Sequence, residues 1–358
     1  MGNIAQRRKM RMKRILALCL VLACLLLTGC AGTTVIYQEI DRPDTSPPTP
    51  TPGVEVEGAV KTGLAVITDV SDSQSAVEAA FDVTVVALTV DDDGVIRQCI
   101  IDGVSAKVPF DTTGTITGNT TSQVLTKNEL REGYGMKEYG GAKYEWYQQA
   151  AALANYAVGK TPAALRSGAL DNTGYAADEN LAATATIYLG GLVSAIEEAA
   201  AGARHAGAVA GDSLRLAVLP DLSGSTSATG EEAGRARLNC DVAALTLDGE
   251  IITSCRIDSV QADVSFDAMG TITNELRSDV KTKTELGDDY GMKHYGGARY
   301  EWYEQAAHFA DYATGKTAAE IVDLPVSDGK PTQPELAASV TISITPFQAL
   351  IAKACGLS

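Results

Sequence analysis

Histidine is scarce in this chain, with His205, His294 and His308 the only three among 358 residues. No HExxH, GxSxG or CxxC pattern occurs, which removes the usual frameworks of a zinc protease, a serine hydrolase, a zinc knuckle and a thioredoxin-like centre. Basic side chains are in deficit: 29 Lys and Arg against 45 Asp and Glu give a net charge of −16. Recognition of nucleic acid, or of an anionic lipid surface, would need basic patches that this balance argues against. The longest apolar run, Ile15 to Leu27, is too short to cross a bilayer as a helix. Aromatic residues are few, with two Trp and five Phe, so the places where they gather are informative.

What is present begins at the N-terminus. Arg7, Arg8, Lys9, Arg11, Lys13 and Arg14 precede the apolar run, which ends in Leu27-Thr28-Gly29-Cys30. Basic n-region, apolar h-region and small residues before a cysteine are the parts of a lipoprotein signal peptide, 1–29. The expected product carries lipid (diacylglycerol and usually palmitate) on Cys30 and sits on the extracytoplasmic face of the cell membrane. More than one acyl chain on that cysteine makes a firm anchor, where a single chain is marginal. Residues 30–57 then form a spacer containing TSPPTPTPG (Thr45 to Gly53), too proline-rich to pack and extended by nature. Without 1–29 and its six basic side chains, the net charge moves from −16 to −22.

The rest of the chain repeats itself at a spacing of 156 residues. EGYGMKEYGGAKYEWYQQAAALANYAVGKT (Glu132 to Thr161) returns as DDYGMKHYGGARYEWYEQAAHFADYATGKT (Asp288 to Thr317). Trp146 and Trp302 occupy the same repeat position, and ten of the thirteen tyrosines pair in the same way. Similarity extends upstream and downstream, so the expected organisation is two tandem homologous domains, 58–211 and 212–355. A repeat of this length is domain-sized and long enough to bury a core of its own.

Each repeat reads as α+β, an antiparallel β-meander packed with helices. Val83–Val90 and Val95–Asp102 are β-rich runs around an Asp/Gly turn, and Asp248-Gly249 marks the tighter equivalent between Val242–Leu247 and Glu250–Asp258. A third alternating strand is expected at Ala106–Phe110 and Ala262–Phe266. Thr126…Glu129 and Thr282…Glu285 fit capping boxes. The longest helix is expected from about Lys143 to Val158, with Trp146, Ala150, Leu153 and Ala157 on the face that meets the sheet. Strand-like runs, Thr184–Leu189 and Ser339–Ile344, lead into a closing helix, opened in the second repeat by Thr345-Pro346 as N-cap and N1.

Several chemical motifs fall away on inspection. No two histidines occupy matched positions, whereas a duplicated hydrolase or metalloenzyme would be expected to repeat its nucleophile or ligands. Gly159-Lys160-Thr161 and Gly315-Lys316-Thr317 lack the earlier glycine of a phosphate loop and follow a helix, so the glycines read as helix C-caps and the threonines as starts of the next helix. Asp91-Asp92-Asp93-Gly94 lacks the spaced ligands of a calcium loop and reads as a solvated turn. Cys240 and Cys255 admit either a bridge across neighbouring strands or two buried thiols.

The Tyr-Gly-Met-Lys-x-Tyr-Gly-Gly-Ala segment has two readings. Its glycines let the backbone approach a flat ligand walled by Tyr134, Met136, Tyr139 and Trp146, and in the second repeat by Tyr290, Met292 and Trp302. Alternatively the aromatics simply cap the core.

The order of meander, Tyr/Met/Trp loop and helix, then a Thr-bearing segment before a closing helix resembles the FMN-binding domain of bacterial exported and membrane-anchored proteins. In that family a Ser-Gly-Ala-Thr motif precedes the closing helix and its threonine can carry FMN through a phosphoester. The matching places are Ala183-Thr184-Ala185-Thr186 and Ala338-Ser339-Val340-Thr341, which keep Thr186 and Thr341 but not the Ser-Gly pair. The resemblance implies FMN as cofactor, these two threonines as attachment points and an envelope redox partner. Three functions therefore stand: a flavin-carrying electron-transfer lipoprotein, a non-catalytic surface-binding module, and a structural envelope lipoprotein.

Overall fold

The computed structural model describes residues 58–357; the expected signal peptide, Cys30 and the proline-rich spacer lie outside them. The first repeat opens with three antiparallel strands, β1 (Ala59–Asp69), β2 (Glu78–Val90) and β3 (Ile96–Pro109). Helices α1 (Lys127–Leu130), α2 (Trp146–Ala157), α3 (Pro162–Ala169), α4 (Glu179–Ala182) and α5 (Gly190–Ala201) follow. Strand β4 (Arg204–Val209) returns to pair with β1, giving a sheet of order β3-β2-β1-β4. The second repeat builds β5 (Ser213–Asp221), β6 (Gly234–Asp248) and β7 (Ile251–Phe266) into a sheet of order β5-β6-β7. Its helices are α6 (Lys283–Leu286), α7 (Met292–Gly296), α8 (Trp302–Ala313), α9 (Ala318–Val322), α10 (Pro334–Ala337) and α11 (Thr345–Cys355). The chain is thus a mixed α and β protein with open antiparallel sheets.

Strand periodicity explains how the layers form. Along β2, Ala79, Phe81, Val83 and Val85 face one way, while Val86, Leu88 and Val90 face the other, and all seven are buried. A strand covered on both faces must be apolar on both, which is why this segment reads as a nearly continuous apolar run. The Val86 face meets α2 and α5 in a core that includes Trp146, Leu153 and Ile196. In the second repeat, Leu245 and Leu247 meet Trp302, Phe309 and Phe347 in the equivalent core. The remaining face of each sheet turns toward the other sheet. Phe81, Val83, Val104 and Phe110 share a central core with Leu238, Val242, Val260 and Phe266.

Reciprocal contacts cross that central core. Phe110 and Phe266, matched residues of the two repeats, stack at 4.0 Å between centroids and 3° between planes. The Ala76 amide donates to the Gly270 carbonyl at 2.7 Å, and the Ala228 amide donates to Gly114 at 2.8 Å. Gly114 and Gly270 have φ of +65° and +70°, and a Cβ on either would fall within 2.5 Å of a backbone oxygen of the opposite repeat. Glycine is required there by both conformation and proximity. A buried hydroxyl pair, Thr62 and Ser254 at 2.7 Å, also joins the sheets, and Ser254 continues to Thr246 at 2.6 Å.

Local signals hold in many places. Both capping boxes form at Thr126 and Thr282, Thr161 and Thr317 cap their helices, and Gly159 and Gly315 take left-handed φ after α2 and α8. Five expectations need correction. β1 was not anticipated as a strand. The runs expected as second and third strands fuse into single long strands, β3 and β7, because Gly103 and Ser259 stay in register within the ladder. The long helix starts at Trp146, since Glu145 is its N-cap and the Gln148 Oε1 accepts from the Glu145 amide at 3.0 Å. The runs 184–189 and 339–344 are loops, because a glutamine side chain takes the place of a neighbouring strand. Thr345 and Pro346 lie inside the first turn of α11, whose N-cap is Ile344.

Candidate functional site

Every proposed binding residue lies around the N-terminus of α2 or its counterpart α8. The Glu145 carboxylate, nearly fully buried, accepts from the amides of Met136 at 2.9 Å and Lys137 at 3.1 Å. Glu301 does the same for Met292 and Lys293 at 2.7 and 2.9 Å. A buried carboxylate needs such donors, and the amides of a tight loop need an acceptor. Each Glu therefore fastens the Tyr-Gly-Met-Lys loop to its helix. Gly135 and Gly291 have φ of +80° and +82°, and a Cβ on either would lie 2.5–2.6 Å from the Tyr139 or Tyr295 ring. These glycines serve the loop's own packing.

The aromatic wall surrounds a lysine of the same chain. Lys127 Nζ lies 5.1 Å from the Trp146 ring centroid and 5.5 Å from that of Tyr134. Lys283 Nζ lies 4.8 Å from Trp302 and 5.6 Å from Tyr290. An ammonium held over aromatic faces is attracted by their quadrupoles, by about 0.5–2 kcal/mol. Trp146 and Trp302 are buried, while Tyr134, Met136, Tyr290 and Met292 are half-buried at the rim. Tyr139 and Tyr295, in contrast, are 82% and 84% exposed.

The matched threonines lie on the loops that precede α5 and α11. Gln149 Oε1 accepts from the Thr186 amide at 2.7 Å, the Ile187 amide at 3.1 Å and the Thr186 hydroxyl at 3.2 Å. Gln305 repeats this with Thr341 and Ile342 at 2.8, 3.2 and 3.2 Å. Each glutamine is buried, and its amide nitrogen donates to Tyr144 or Tyr300. Thr186 and Thr341 are themselves exposed residues, and their hydroxyls are engaged by these glutamines. Sequence reasoning passed over both glutamines. The available signal was an identical amide in the apolar face of each repeat's longest helix.

Matched carboxylates, Asp102 buried and Asp258 half-buried, meet the first turns of α1 and α6. Asp102 accepts from the amides of Gly103 at 2.7 Å and Asn128 at 3.0 Å, and Asp258 from Ser259 at 2.7 Å and Thr284 at 3.2 Å. Burial pushes both carboxyls above the ordinary range, against the opposing pull of those amides. Burial also lowers the Lys283 amine, which Asp241 and Asp258 partly offset through space. Cys99, Cys240 and Cys255 are free thiols; burial pushes Cys99 and Cys255 up to about 12, and Cys240 is raised as well. Among the described residues no group of three or more His, Cys, Asp or Glu is placed to hold a metal ion.

Two clefts open elsewhere. One, of about 300 Å³, is lined by Asp69, Asp72, Glu78, Asp82 and Lys107; another, of about 570 Å³, by Arg166, Asn172, Tyr188, Gly190 and Ser194. Neither includes Tyr134, Met136, Trp146 or their counterparts. The residues divide in their fit to FMN. The surface position of the two threonines suits a phosphoester, whereas the space between the aromatic rings, where a flavin ring was expected, holds an ammonium. No protein-family model, curated protein or solved structure matches the chain.

Proposed function

We propose that this chain is a lipid-anchored extracytoplasmic protein, attached through Cys30, whose two tandem repeats form a non-catalytic module for binding a partner at the cell surface. The observation that carries this reading is the paired display of Tyr139 and Tyr295. Each is more than four-fifths exposed, on a loop pinned by Glu145 or Glu301. A flat, amphipathic ring held on a rigid support contacts a partner at low entropic cost. The test uses soluble Cys30→Ser protein incubated with native envelopes. Tyr139→Ser/Tyr295→Ser should lose retention while its unfolding temperature stays unchanged; retention equal to that of the parent would overturn the reading. Metabolic palmitate labelling of the full chain, abolished by Cys30→Ser, checks the anchor.

A second reading keeps the flavin, favoured by the surface threonines Thr186 and Thr341 in identical settings. With the cradles occupied by lysines, the ring would lie outside them. Protein from its native envelope would then be yellow, with fluorescence that survives denaturation and vanishes in Thr186→Ala/Thr341→Ala. Colourless protein would sink this reading.

A further inference from the structure

The two repeats act as controls for one another, and they differ in the charges on the strand beside the lysine: Ala80, Asp82 and Thr84 of β2 correspond to Arg237, Asn239 and Asp241 of β6. Lys127, wrapped by Tyr134 and Trp146, is met by both carboxylate oxygens of Asp82 at 3.2 Å. Lys283 has the same aromatic surroundings at nearly the same distances. The strand position equivalent to Asp82 is Asn239: Asp82 stands opposite Ser105 in its ladder, and Asn239 opposite Gln261, the counterpart of Ser105. Among the described residues no carboxylate comes within 4.0 Å of Lys283 Nζ. Asp241 and Asp258 are the acidic groups that act on it, both from beyond that distance, and Asp258 is committed to the amides of Ser259 and Thr284.

We propose that the Lys283–Tyr290–Trp302 cradle of the second repeat binds a carboxylate from outside the chain, in the place that Asp82 fills in the first repeat. The physical reason is that an ammonium withdrawn from bulk water into an aromatic cradle gains strongly from a charge-assisted hydrogen bond. In the first repeat that bond is intramolecular, so the first cradle is closed. Burial lowers the Lys283 amine, and Asp241 and Asp258 offset this only in part through space, without a direct ion pair. The accepting carboxylate belongs either to a small organic acid or to the acidic side chain of another protein. The inference does not depend on Tyr139 and Tyr295, because it concerns a different group and is read by a different signal.

The experiment follows Trp302 fluorescence in soluble Cys30→Ser/Trp146→Phe protein during titration with propionate, a short glycine-serine peptide bearing one glutamate, or inorganic phosphate. A saturable change with propionate or the peptide is expected, and the more effective probe identifies the source. Asn239→Asp, which restores the internal carboxylate, should weaken the apparent affinity about tenfold or more. Lys283→Met should abolish the response. In a Trp302→Phe background, Asp82→Asn should create a response at Trp146 where none existed. Far-UV circular dichroism confirms that each variant is folded, and a variant that fails is replaced by its conservative partner, Lys283→Gln or Asn239→Glu. No saturable change with either carboxylate, or a change that Asn239→Asp leaves intact, would overturn the proposal. Phosphate binding as well as the carboxylates would overturn the assignment to a carboxylate.

Discussion

Replacing Phe266 with alanine tests whether the repeats stand or fall together. Its ring is fully buried in the core between the sheets and stacks on Phe110 at 4.0 Å. Truncating a buried Phe costs about 3–5 kcal/mol, made up of lost transfer free energy and the cavity left behind. The stacked pair adds about 0.5–1.5 kcal/mol that neither ring has alone, so Phe110→Ala/Phe266→Ala should cost less than the sum of the single changes. The assay is urea unfolding followed by tryptophan fluorescence in Trp146→Phe and Trp302→Phe backgrounds. Trp302 then reports the outer core of the second repeat and Trp146 that of the first. If the central core couples the halves, the transitions coincide and Phe266→Ala moves both by the same amount. A shift confined to the Trp302 transition would refute the reasoning and show that the repeats unfold separately.

Three more expectations follow from the geometry. Glu301→Gln weakens the acceptor of the Met292 and Lys293 amides, two charge-assisted bonds; it should cost about 1–3 kcal/mol and speed amide exchange in the Gly291–Gly297 loop, and unchanged exchange would count against the pinning role. Asp258 has a folded pKa raised by burial, so its ionisation opposes folding: stability should fall as pH rises from the unfolded value through the raised folded one. Asp258→Asn should therefore stabilise the protein at pH 7, with the advantage shrinking as pH drops toward 3.8, and a thermal-melt difference independent of pH would contradict this. Cys255, buried and with its thiol pushed up to about 12, should resist iodoacetamide at pH 8 in native Cys30→Ser protein and react on unfolding; its labelling in the native state would show that the core opens.

Much of the local structure was legible because it depends on near neighbours. Thr126 and Glu129 are three residues apart, so their reciprocal cap is visible in the chain itself, and the Asp248-Gly249 turn announces its hairpin. The continuity of β3 was hidden because Gly103 resembles a break. The reason for that glycine is tertiary: a Cβ there would lie 2.9 Å from the Val83 carbonyl oxygen and 3.3 Å from the Lys127 side chain. The lysine cradles were equally hidden. Lys127 and Trp146 are separated by a glycine-rich loop, and only the fold brings the ammonium over the ring. The aromatics of the motif were identified from the repeat, but their neighbour was not. Asp102 and Asp258, aligned in the repeats, gave no sign of their burial beyond their place in apolar strands.

The reciprocal seam gives this chain a freedom that two identical subunits would lack. In a two-fold homodimer every substitution appears twice, so the halves cannot take different roles. Here residues 210–212 join β4 to β5, and each half carries its own sequence. The symmetry is already broken at the edges. Lys353 of α11 pairs with Glu129 at 2.8 Å, whereas at the mirrored place burial and the nearby Glu285 raise the carboxyl of Glu198. Tethering keeps the halves at high effective concentration without help from an ion pair at the mirrored place. One half can therefore tolerate an unfavourable contact while its partner holds the assembly, leaving room for a division of labour between two near-copies.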